Sequence, residues 1–276
     1  MNKKLVTIAV LGALSSLPGL AMAEEAAVAA AAPAPAAEPA SPHTFAYNVG
    51  LFSQYIFRGL TQTDRKPALQ GGVDYTHASG LYAGAWGSNI SWLEDSGLYE
   101  NSSLELDAYG GYRNTFGESG IGYDVGLLYY YYAGDKTAAG SASTGFTNPD
   151  TLEAYAALSW KWLQGKVSYV VTNSAWGTDE ADGTYYAELN ANIPIAESGF
   201  TANLHVGRQE FAGSNEGVDN DNYSYTDWKA GVTKSFSNGV NVGGYYTTAN
   251  TRDSFWTIDN RNLGDDTFTV FVQKVF

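Results

Sequence analysis

Apolar and polar residues alternate with a period of two through most of the chain after residue 44. In the first such segment, one face carries six apolar side chains and is interrupted only at Ser53: Phe45, Tyr47, Val49, Leu51, Tyr55 and Phe57. A period of two is typical of a β-strand with one apolar and one polar face. The pattern therefore predicts an all-β protein.

The alternation recurs in twelve segments. After the first, which we expect to end near Arg58, the predicted strands are 68–77, 81–90, 103–113, 121–130, 152–162, 166–173, 184–193, 200–209, 225–236, 240–248 and 268–276. Alternate connections are short, and the others are mostly long and rich in Asp, Asn and Gly. An even strand number with short periplasmic turns and longer extracellular loops is typical of bacterial outer-membrane barrels. We therefore predict a transmembrane, antiparallel, up-and-down β-barrel of about 12 strands.

Aromatic residues on the apolar faces concentrate at the strand ends, and aliphatic residues and alanine occupy the middles. Amphipathic rings favour the two membrane interfaces, whereas a soluble β-sandwich buries its large aromatics in the core. The predicted periplasmic belt contains Phe45, Tyr47, Trp160, Trp162, Phe200, Phe236 and Phe276. The predicted outer belt contains Tyr55, Phe57, Tyr129, Tyr131, Tyr185, Trp228, Tyr246 and Phe268.

The two ends of the chain predict its destination. Residues 1–23 combine two lysines, an apolar run at 5–14 and the small residues 21–23, which indicates a secretory signal peptide. Residues 24–43 are almost entirely Ala, Pro and Glu, so we expect a flexible periplasmic tail before a barrel over 44–276. The last strand ends on Phe276 and resembles the assembly signal of Gram-negative outer-membrane proteins. We therefore expect export through the periplasm to the outer membrane, with the assembly machinery, membrane lipids and lipopolysaccharide as partners.

Composition narrows the class further. The 276 residues include no Cys, which excludes a disulfide scaffold and Cys-ligated metal sites. The net charge is −14, or −16 without the signal peptide, which argues against nucleic acid as a partner. The mean hydropathy of −0.23 excludes a helical membrane protein but not a membrane barrel, whose lumen and loops are polar.

Three histidines limit acid–base and metal chemistry: His43 in the predicted tail, His77 and His205. His77 and Ser79 have the His-x-Ser spacing of outer-membrane phospholipases, but they fall in a tight turn with no obvious orienting group, so turn formation is the preferred interpretation. His205 lies on a predicted lumen face with no second His to join it, which favours lumen packing or pore lining over metal binding. We predict no cofactor, no metal and no enzymatic activity.

The acidic loop 213–222 has the composition of a calcium site. An EF-hand counted from Asp219 would need Gly and Glu at the positions that hold Ser224 and Ala230, so the motif fails. A solvated loop is the preferred interpretation, and weak binding of divalent cations that bridge lipopolysaccharide phosphates is the alternative.

Charged residues on the predicted inner faces are the candidates for function. Acidic residues outnumber basic ones among these pore-lining candidates, which are Glu105, Asp107, Arg113, Asp124, Glu153, Lys166, Glu188, His205, Asp227 and Lys229. Water or an opposite charge can satisfy charges in a lumen. Two interpretations stay open: a salt-bridged, mostly plugged lumen, or a channel narrower than that of porins with about 16 strands, whose acidic excess favours cations or neutral polar solutes.

A family resemblance is carried by residues 55–90, YIFRGLTQTDRKPALQGGVDYTHASGLYAGAWGSNI. This stretch resembles the TorF porin family of proteobacteria, named for a Gcw-type conserved domain, and the similarity runs from about Tyr47 to Phe276. The resemblance implies an outer-membrane barrel with a channel role, and it brings no catalytic residue or substrate. We therefore expect passive diffusion of small polar solutes or ions, with a preference for cations. The alternative is a non-conducting structural or surface-adhesion barrel.

Overall fold

The computed structural model describes residues 41–143, 145–215 and 217–276, so the predicted signal peptide and most of the predicted tail lie outside the described residues. Twelve strands form one closed antiparallel barrel. They are β1 His43–Phe52, β2 Ala68–His77, β3 Leu81–Asn89, β4 Leu104–Thr115, β5 Ile121–Tyr132, β6 Thr151–Trp160, β7 Leu163–Val170, β8 Tyr185–Ile195, β9 Phe200–Glu210, β10 Tyr225–Ser235, β11 Val240–Ala249 and β12 Thr267–Val275. The predicted fold class and strand number are confirmed.

Each strand pairs with the next one along the chain, and β12 closes the barrel against β1. At the closing seam, Asn48 lies opposite Val275 and Phe52 lies opposite Phe271. Closure leaves no edge strand with unpaired backbone groups, and such groups would be costly in hydrocarbon. Among the described residues, no helix has both the length and the apolar character needed to cross a membrane.

Connection lengths separate the two ends of the barrel. One end has only short turns, at 78–80, 116–120, 161–162, 196–199 and 236–239. The other end, here called the outer end, has six long loops, at 53–67, 90–103, 133–150, 171–184, 211–224 and 250–266. The loops contain short helices at Trp92–Asp95, Ala138–Ala142 and Asp253–Trp256, and a 3-10 turn at Asn220–Tyr223. They also contain three small hairpins, which pair Ile56–Phe57 with Leu60–Thr61, Ser214–Asn215 with Val218–Asp219, and Thr257–Ile258 with Arg261–Asn262.

The outward face of the barrel is apolar and exposed. Leu51 is 54% exposed and Val125 is 47% exposed, and all seven aromatics predicted for the periplasmic belt are also exposed. Six of the eight aromatics predicted for the outer belt lie on this face as well: Tyr129, Tyr131, Tyr185, Trp228, Tyr246 and Phe268. The barrel therefore presents a continuous apolar surface to its surroundings.

The other two aromatics predicted for the outer belt, Tyr55 and Phe57, do not lie on the outward face. β1 ends at Phe52, whereas the alternation predicted a strand as far as Arg58. Arg58 and Gly59 have φ of +47° and +81°, so the chain reverses there in a tight hairpin and does not continue along the wall. Residues 54–63, here called the plug segment, are all buried except Phe57, which is partly buried. Tyr55 is 1% exposed, so neither it nor Phe57 belongs to a lipid-facing belt.

Other strand ends differ from the predictions by up to three residues, and two of these differences have a local cause or move a named residue. The sequence predicts His43 in the tail, but His43 begins β1 and pairs with His77 of β2. β7 starts at Leu163 and not at residue 166, because Lys161 adopts a φ of +55° and allows a two-residue turn.

Tight packing inside the barrel gives a first prediction. A Cβ built on Gly207 would lie 1.9 Å from the Tyr186 hydroxyl, whereas a Cβ on Gly165 meets nothing nearer than 4.0 Å. We expect Gly207→Ala to lower barrel stability by about 1–3 kcal/mol because it overpacks the interior. The temperature at which the fast-migrating folded band is lost on a detergent gel measures this stability. The control Gly165→Ala should keep the wild-type temperature, and equal behaviour of the two variants would contradict the packing described.

Candidate functional site

The plug segment crosses the lumen near the outer end of the barrel. The Tyr55 hydroxyl donates a hydrogen bond of 2.5 Å to Glu105 of β4. Arg58 lies 2.7 Å from Glu153 of β6 and donates a 2.9 Å hydrogen bond to Gln209 of β9. Because β4, β6 and β9 lie at separate positions around the wall, one short segment ties distant parts of the barrel together.

Arg58 is the centre of this arrangement. Its side chain is 2% exposed and that of Glu153 is fully buried. The guanidinium lies 4.8, 5.1 and 4.3 Å from the ring centres of Phe57, Trp176 and Tyr186. Burial by itself lowers the pKa of Arg58, but the adjacent Glu153 carboxylate outweighs it and the pKa is raised above its ordinary value. Arg58 therefore stays charged, since an opposite charge and three aromatic faces compensate for lost hydration.

Hydrogen bonds also fix the backbone of the plug segment. The Gln62 amide donates to the Tyr55 carbonyl at 2.8 Å, and the Thr61 amide donates to the Leu263 carbonyl at 3.0 Å. The Tyr55 ring packs edge-on against Trp86 with centres 5.4 Å apart. Burial, followed by the Glu105 and Asp107 charges, raises the pKa of Tyr55 well above its usual value, so the phenol remains a donor. The plug segment is therefore packed and hydrogen-bonded both before and after the chain reversal at Arg58 and Gly59.

All ten pore-lining candidates lie on the inner side of the barrel wall. Seven of them are at most 6% exposed, namely Glu105, Asp107, Asp124, Glu153, Lys166, Glu188 and Asp227. Arg113, His205 and Lys229 are partly buried. The structure therefore brings the candidates into one interior, and that interior is largely filled by side chains.

Tyrosines fill much of this interior between β2 and β6. The Tyr82 hydroxyl donates to Asp124 at 2.6 Å and also contacts the Tyr155 hydroxyl. The Tyr109 hydroxyl donates to Asp74 at 2.6 Å. Sequence analysis placed charges on the inner faces but did not assign these tyrosines, and the available signal was a phenol on the polar face of each strand. Phenols both occupy volume and satisfy carboxylates, which explains how an acidic interior can be closely packed.

A second network lies between β8 and β10. Asp227 accepts from the Tyr186 hydroxyl at 2.8 Å and lies 2.9 Å from Nε2 of His205. Nδ1 of His205 lies 2.7 Å from Asn190 Oδ1, and Asn190 donates to Glu188 at 2.8 Å. His205 is therefore part of a hydrogen-bonded lumen network. Among the described residues, no group of three or more His, Cys, Asp or Glu side chains is arranged to hold a metal ion.

Asp107 differs from the other interior carboxylates. It is 3% exposed, and neither carboxylate oxygen has a hydrogen-bond partner in the described part of the chain. It is two residues from Glu105 along β4. A buried carboxylate without donors is costly when charged and is stabilised by a nearby cation.

Cavities lie on either side of the filled layer. The inner cavity, about 270 Å³, lies at the turn end and is lined by polar residues that include Thr76, Arg113, Asp124 and Gln164. The outer cavity, about 400 Å³, lies among the long loops and includes Phe57, Trp176 and Gln209 in its lining. Arg58 is packed against Phe57 and Trp176 and is hydrogen-bonded to Gln209, so the plug segment forms the floor of the outer cavity.

Two motifs considered in the sequence have local structural roles. In the turn between β2 and β3, Nδ1 of His77 accepts from the Ser79 amide at 3.1 Å and lies 2.8 Å from its hydroxyl. In the loop 211–224, the Asp219 carboxylate accepts from the Asp221 amide at 3.0 Å. The buried Asn220 amide donates to three carbonyls, including that of Ala212 at 3.0 Å. The His77 motif therefore stabilises its own turn, and Asn220 joins the loop 211–224 to the loop 171–184.

Comparison with solved structures places the fold. The KdgM porin is 8% identical over 84% of this chain and 99% of its own, with a TM-score of 0.50. The COG4313 outer membrane channel of Pseudomonas putida F1 is 14% identical over 87% of this chain and 97% of its own, with a TM-score of 0.46. LpxR of Salmonella typhimurium is 10% identical over 84% and 99%, with a TM-score of 0.38. At such identities the KdgM likeness shows the barrel fold alone, and the two lower scores carry no argument.

Sequence comparison gives the family. No curated protein matches the chain. Residues 36–276 match the family described as "Bacterial protein of unknown function (Gcw_chp)", which confirms the resemblance found in residues 55–90. The chain is therefore a member of the Gcw_chp family, built as a closed 12-stranded β-barrel.

Proposed function

We propose that the protein is an outer-membrane channel for small polar solutes or ions, narrowed near its outer end by the plug segment. The observation that carries this proposal is the contrast between the two faces of the wall. An exposed apolar exterior suits a lipid bilayer, and an interior of carboxylates, phenols and amides suits polar solutes. Cavities of about 270 and 400 Å³ on the two sides of the plug segment supply two mouths.

The charge of the interior supports a preference for cations. Six of the ten candidate residues are acidic and three are basic, and Arg58 of the plug segment is already bonded to Glu153. The Asp107 carboxylate has no hydrogen-bond donor among the described residues. Where the interior carboxylates are ionised, they attract a cation in transit and repel an anion.

The plug segment is proposed as the constriction. It reaches Glu105, Glu153 and Gln209 from one side of the barrel, so any solute in transit must pass the side chains of Tyr55 and Arg58. The contacts of Arg58 with Glu153 and Gln209 are made by its side chain and not by its backbone. Replacing this side chain should therefore widen the path without altering the strand pairing.

Targeting to the outer membrane remains part of the proposal. It is supported by the 1–23 segment, by the belts of exposed aromatics and by Phe276, which is 68% exposed and pairs its amide with the Tyr47 carbonyl at 2.9 Å. The assembly machinery, membrane lipids and lipopolysaccharide are the partners that this location supplies.

A non-conducting structural barrel is the second candidate. It is favoured by the almost complete burial of the interior side chains between the two cavities. Planar-bilayer recording of the purified protein distinguishes the candidates. A channel is expected to give reproducible single-channel steps. If neither the wild type nor a variant with a smaller plug side chain gives such steps, the protein is a structural barrel.

The first functional prediction concerns Arg58. Arg58→Ala alone leaves the Glu153 charge buried and unpaired, which is strongly destabilising, so the test uses Arg58→Ala with Glu153→Gln. We expect several-fold higher single-channel conductance because the guanidinium no longer crosses the lumen. The control is Arg252→Ala, which removes an exposed loop arginine 3.6 Å from Asp221 and should keep wild-type conductance. Equal conductance of the double variant and wild type would refute the proposed constriction.

The second functional prediction concerns ion preference. In a KCl gradient, the wild-type reversal potential should be displaced toward that of K⁺, and Glu105→Gln with Asp107→Asn should move it toward zero. The matched control is Glu118→Gln with Glu197→Gln, which removes the same charge from exposed turns at the other end. If the control moves the potential as much as the lumen variant, surface charge sets the preference and not the pore wall. If the lumen variant keeps the wild-type reversal potential, Glu105 and Asp107 do not set the ion preference.

A further inference from the structure

The outer cavity is built by every long loop of the barrel. Each of the six connections at the outer end contributes at least one lining residue, among them Leu60, Leu98, Phe146, Trp176, Tyr223 and Trp256. The cavity has a volume of about 400 Å³, which lies within the range of small-molecule sites. Six separate loops therefore converge on one cavity above the plug segment.

The lining of this cavity is uncharged. Nine of its nineteen described residues are aromatic, four are Leu or Ile, and no Asp, Glu, Lys, Arg or His is among them. The chain as a whole carries 44 charged Lys, Arg, Asp and Glu residues and a net charge of −14. An uncharged site at the mouth of so acidic a protein offers no counter-ion to a charged ligand, whose desolvation would be uncompensated.

Mutual packing holds the aromatic walls in place. The Phe211 ring centre lies 5.8 Å from that of Tyr223, 6.1 Å from that of Trp256 and 6.3 Å from that of Trp176. Trp176 also packs over Arg58 at 5.1 Å. Aromatic faces fixed in this way form a preorganised surface for a second ring system, since the side chains lose little freedom on binding.

Two hydrogen-bond donors of the lining are unused. The indole Nε1 atoms of Trp92 and Trp176 are buried and have no partner within the described structure. In contrast, the indole of Trp256 donates to the Tyr223 carbonyl at 3.1 Å. The two lining amides are already engaged, Gln62 with the Leu60 carbonyl and Gln209 with Arg58 and the Tyr185 carbonyl. A ligand with one or two acceptor atoms would satisfy donors that are otherwise costly to bury.

We propose that this outer cavity binds an uncharged, ring-containing and largely apolar molecule with one or two hydrogen-bond acceptors. Such a ligand matches the aromatic and aliphatic walls, the lack of charge and the two free indole donors. A neutral saccharide is a poorer match because its many hydroxyls would require more polar partners than the lining supplies. The site lies above the plug segment, and its occupancy does not depend on whether the lumen conducts.

The test is calorimetric titration of the full chain in lipid nanodiscs, with empty discs subtracted. The probes are coumarin, which is neutral and has a carbonyl acceptor, coumarin-3-carboxylate, which adds a negative charge to the same ring, and maltose. We expect saturable one-site binding of coumarin, binding of the carboxylate at least about tenfold weaker because no countercharge is present, and no binding of maltose.

Two variants and one control locate the binding. Trp92→Phe keeps an aromatic ring but removes one free donor, so we expect about two- to tenfold weaker coumarin binding. Leu98→Trp fills the cavity and should abolish binding, with folding checked by gel mobility. The control Trp162→Phe removes an indole at the turn end, 47% exposed on the outward face, and should leave binding unchanged.

Several results would overturn the proposal. Coumarin binding that does not saturate, or that both cavity variants leave intact, would indicate partition into the lipid. Equal affinity for coumarin and its carboxylate would contradict the role of the uncharged lining. Maltose binding that Leu98→Trp abolishes, without coumarin binding, would assign the cavity to saccharides. Absence of single-channel conductance together with intact coumarin binding would reject the proposed channel and support the proposed binding site.

Discussion

Arg58 and Glu153 lie 2.7 Å apart with almost no solvent exposure, and a buried pair of this kind is stable only while both partners remain in place. Arg58 comes from a loop and Glu153 from the barrel wall, so the pair fixes the plug segment inside the lumen. The rings of Phe57, Trp176 and Tyr186 then pack around the guanidinium. The floor of the outer cavity and the separation of the two cavities both depend on this contact.

The strands of the barrel wall could be predicted because residues close together in the sequence determine them. A period of two sets which side chains face lipid and which face inward, and turn residues set the strand ends, so 68–77 was predicted as a strand and β2 occupies those residues. The end of β1 was wrong for a related reason. Tyr55 and Phe57 continue the alternation, but the reversal at Arg58 and Gly59 is stabilised by contacts with Glu153 and Gln209, and periodicity carries no information on such distant partners.

The candidate site was predictable in part. Glu105, Glu153 and Asp227 were placed on the inner faces by alternation, but alternation could not show that Tyr55, Tyr130 and Tyr186 donate to these same carboxylates. The sequence left open a plugged lumen and a narrow channel, and the structure shows a packed layer with a cavity on either side. The outer cavity was beyond prediction since six loops, distant in sequence, must converge to form it. All of the plug segment except Gln54 falls in the stretch 55–90 that carries the family resemblance, which gives that stretch a structural role.

Hydrogen–deuterium exchange of the folded protein in lipid tests the position of the plug segment most directly. The amides of residues 54–63 should exchange much more slowly than those of the exposed loops, because the segment is buried and the Tyr55, Thr61 and Gln62 amides donate hydrogen bonds. Residues 217–219, which are exposed in the loop 211–224, should exchange fast in the same sample. Exchange of 54–63 at the rate of 217–219 would place the segment outside the lumen and contradict the account.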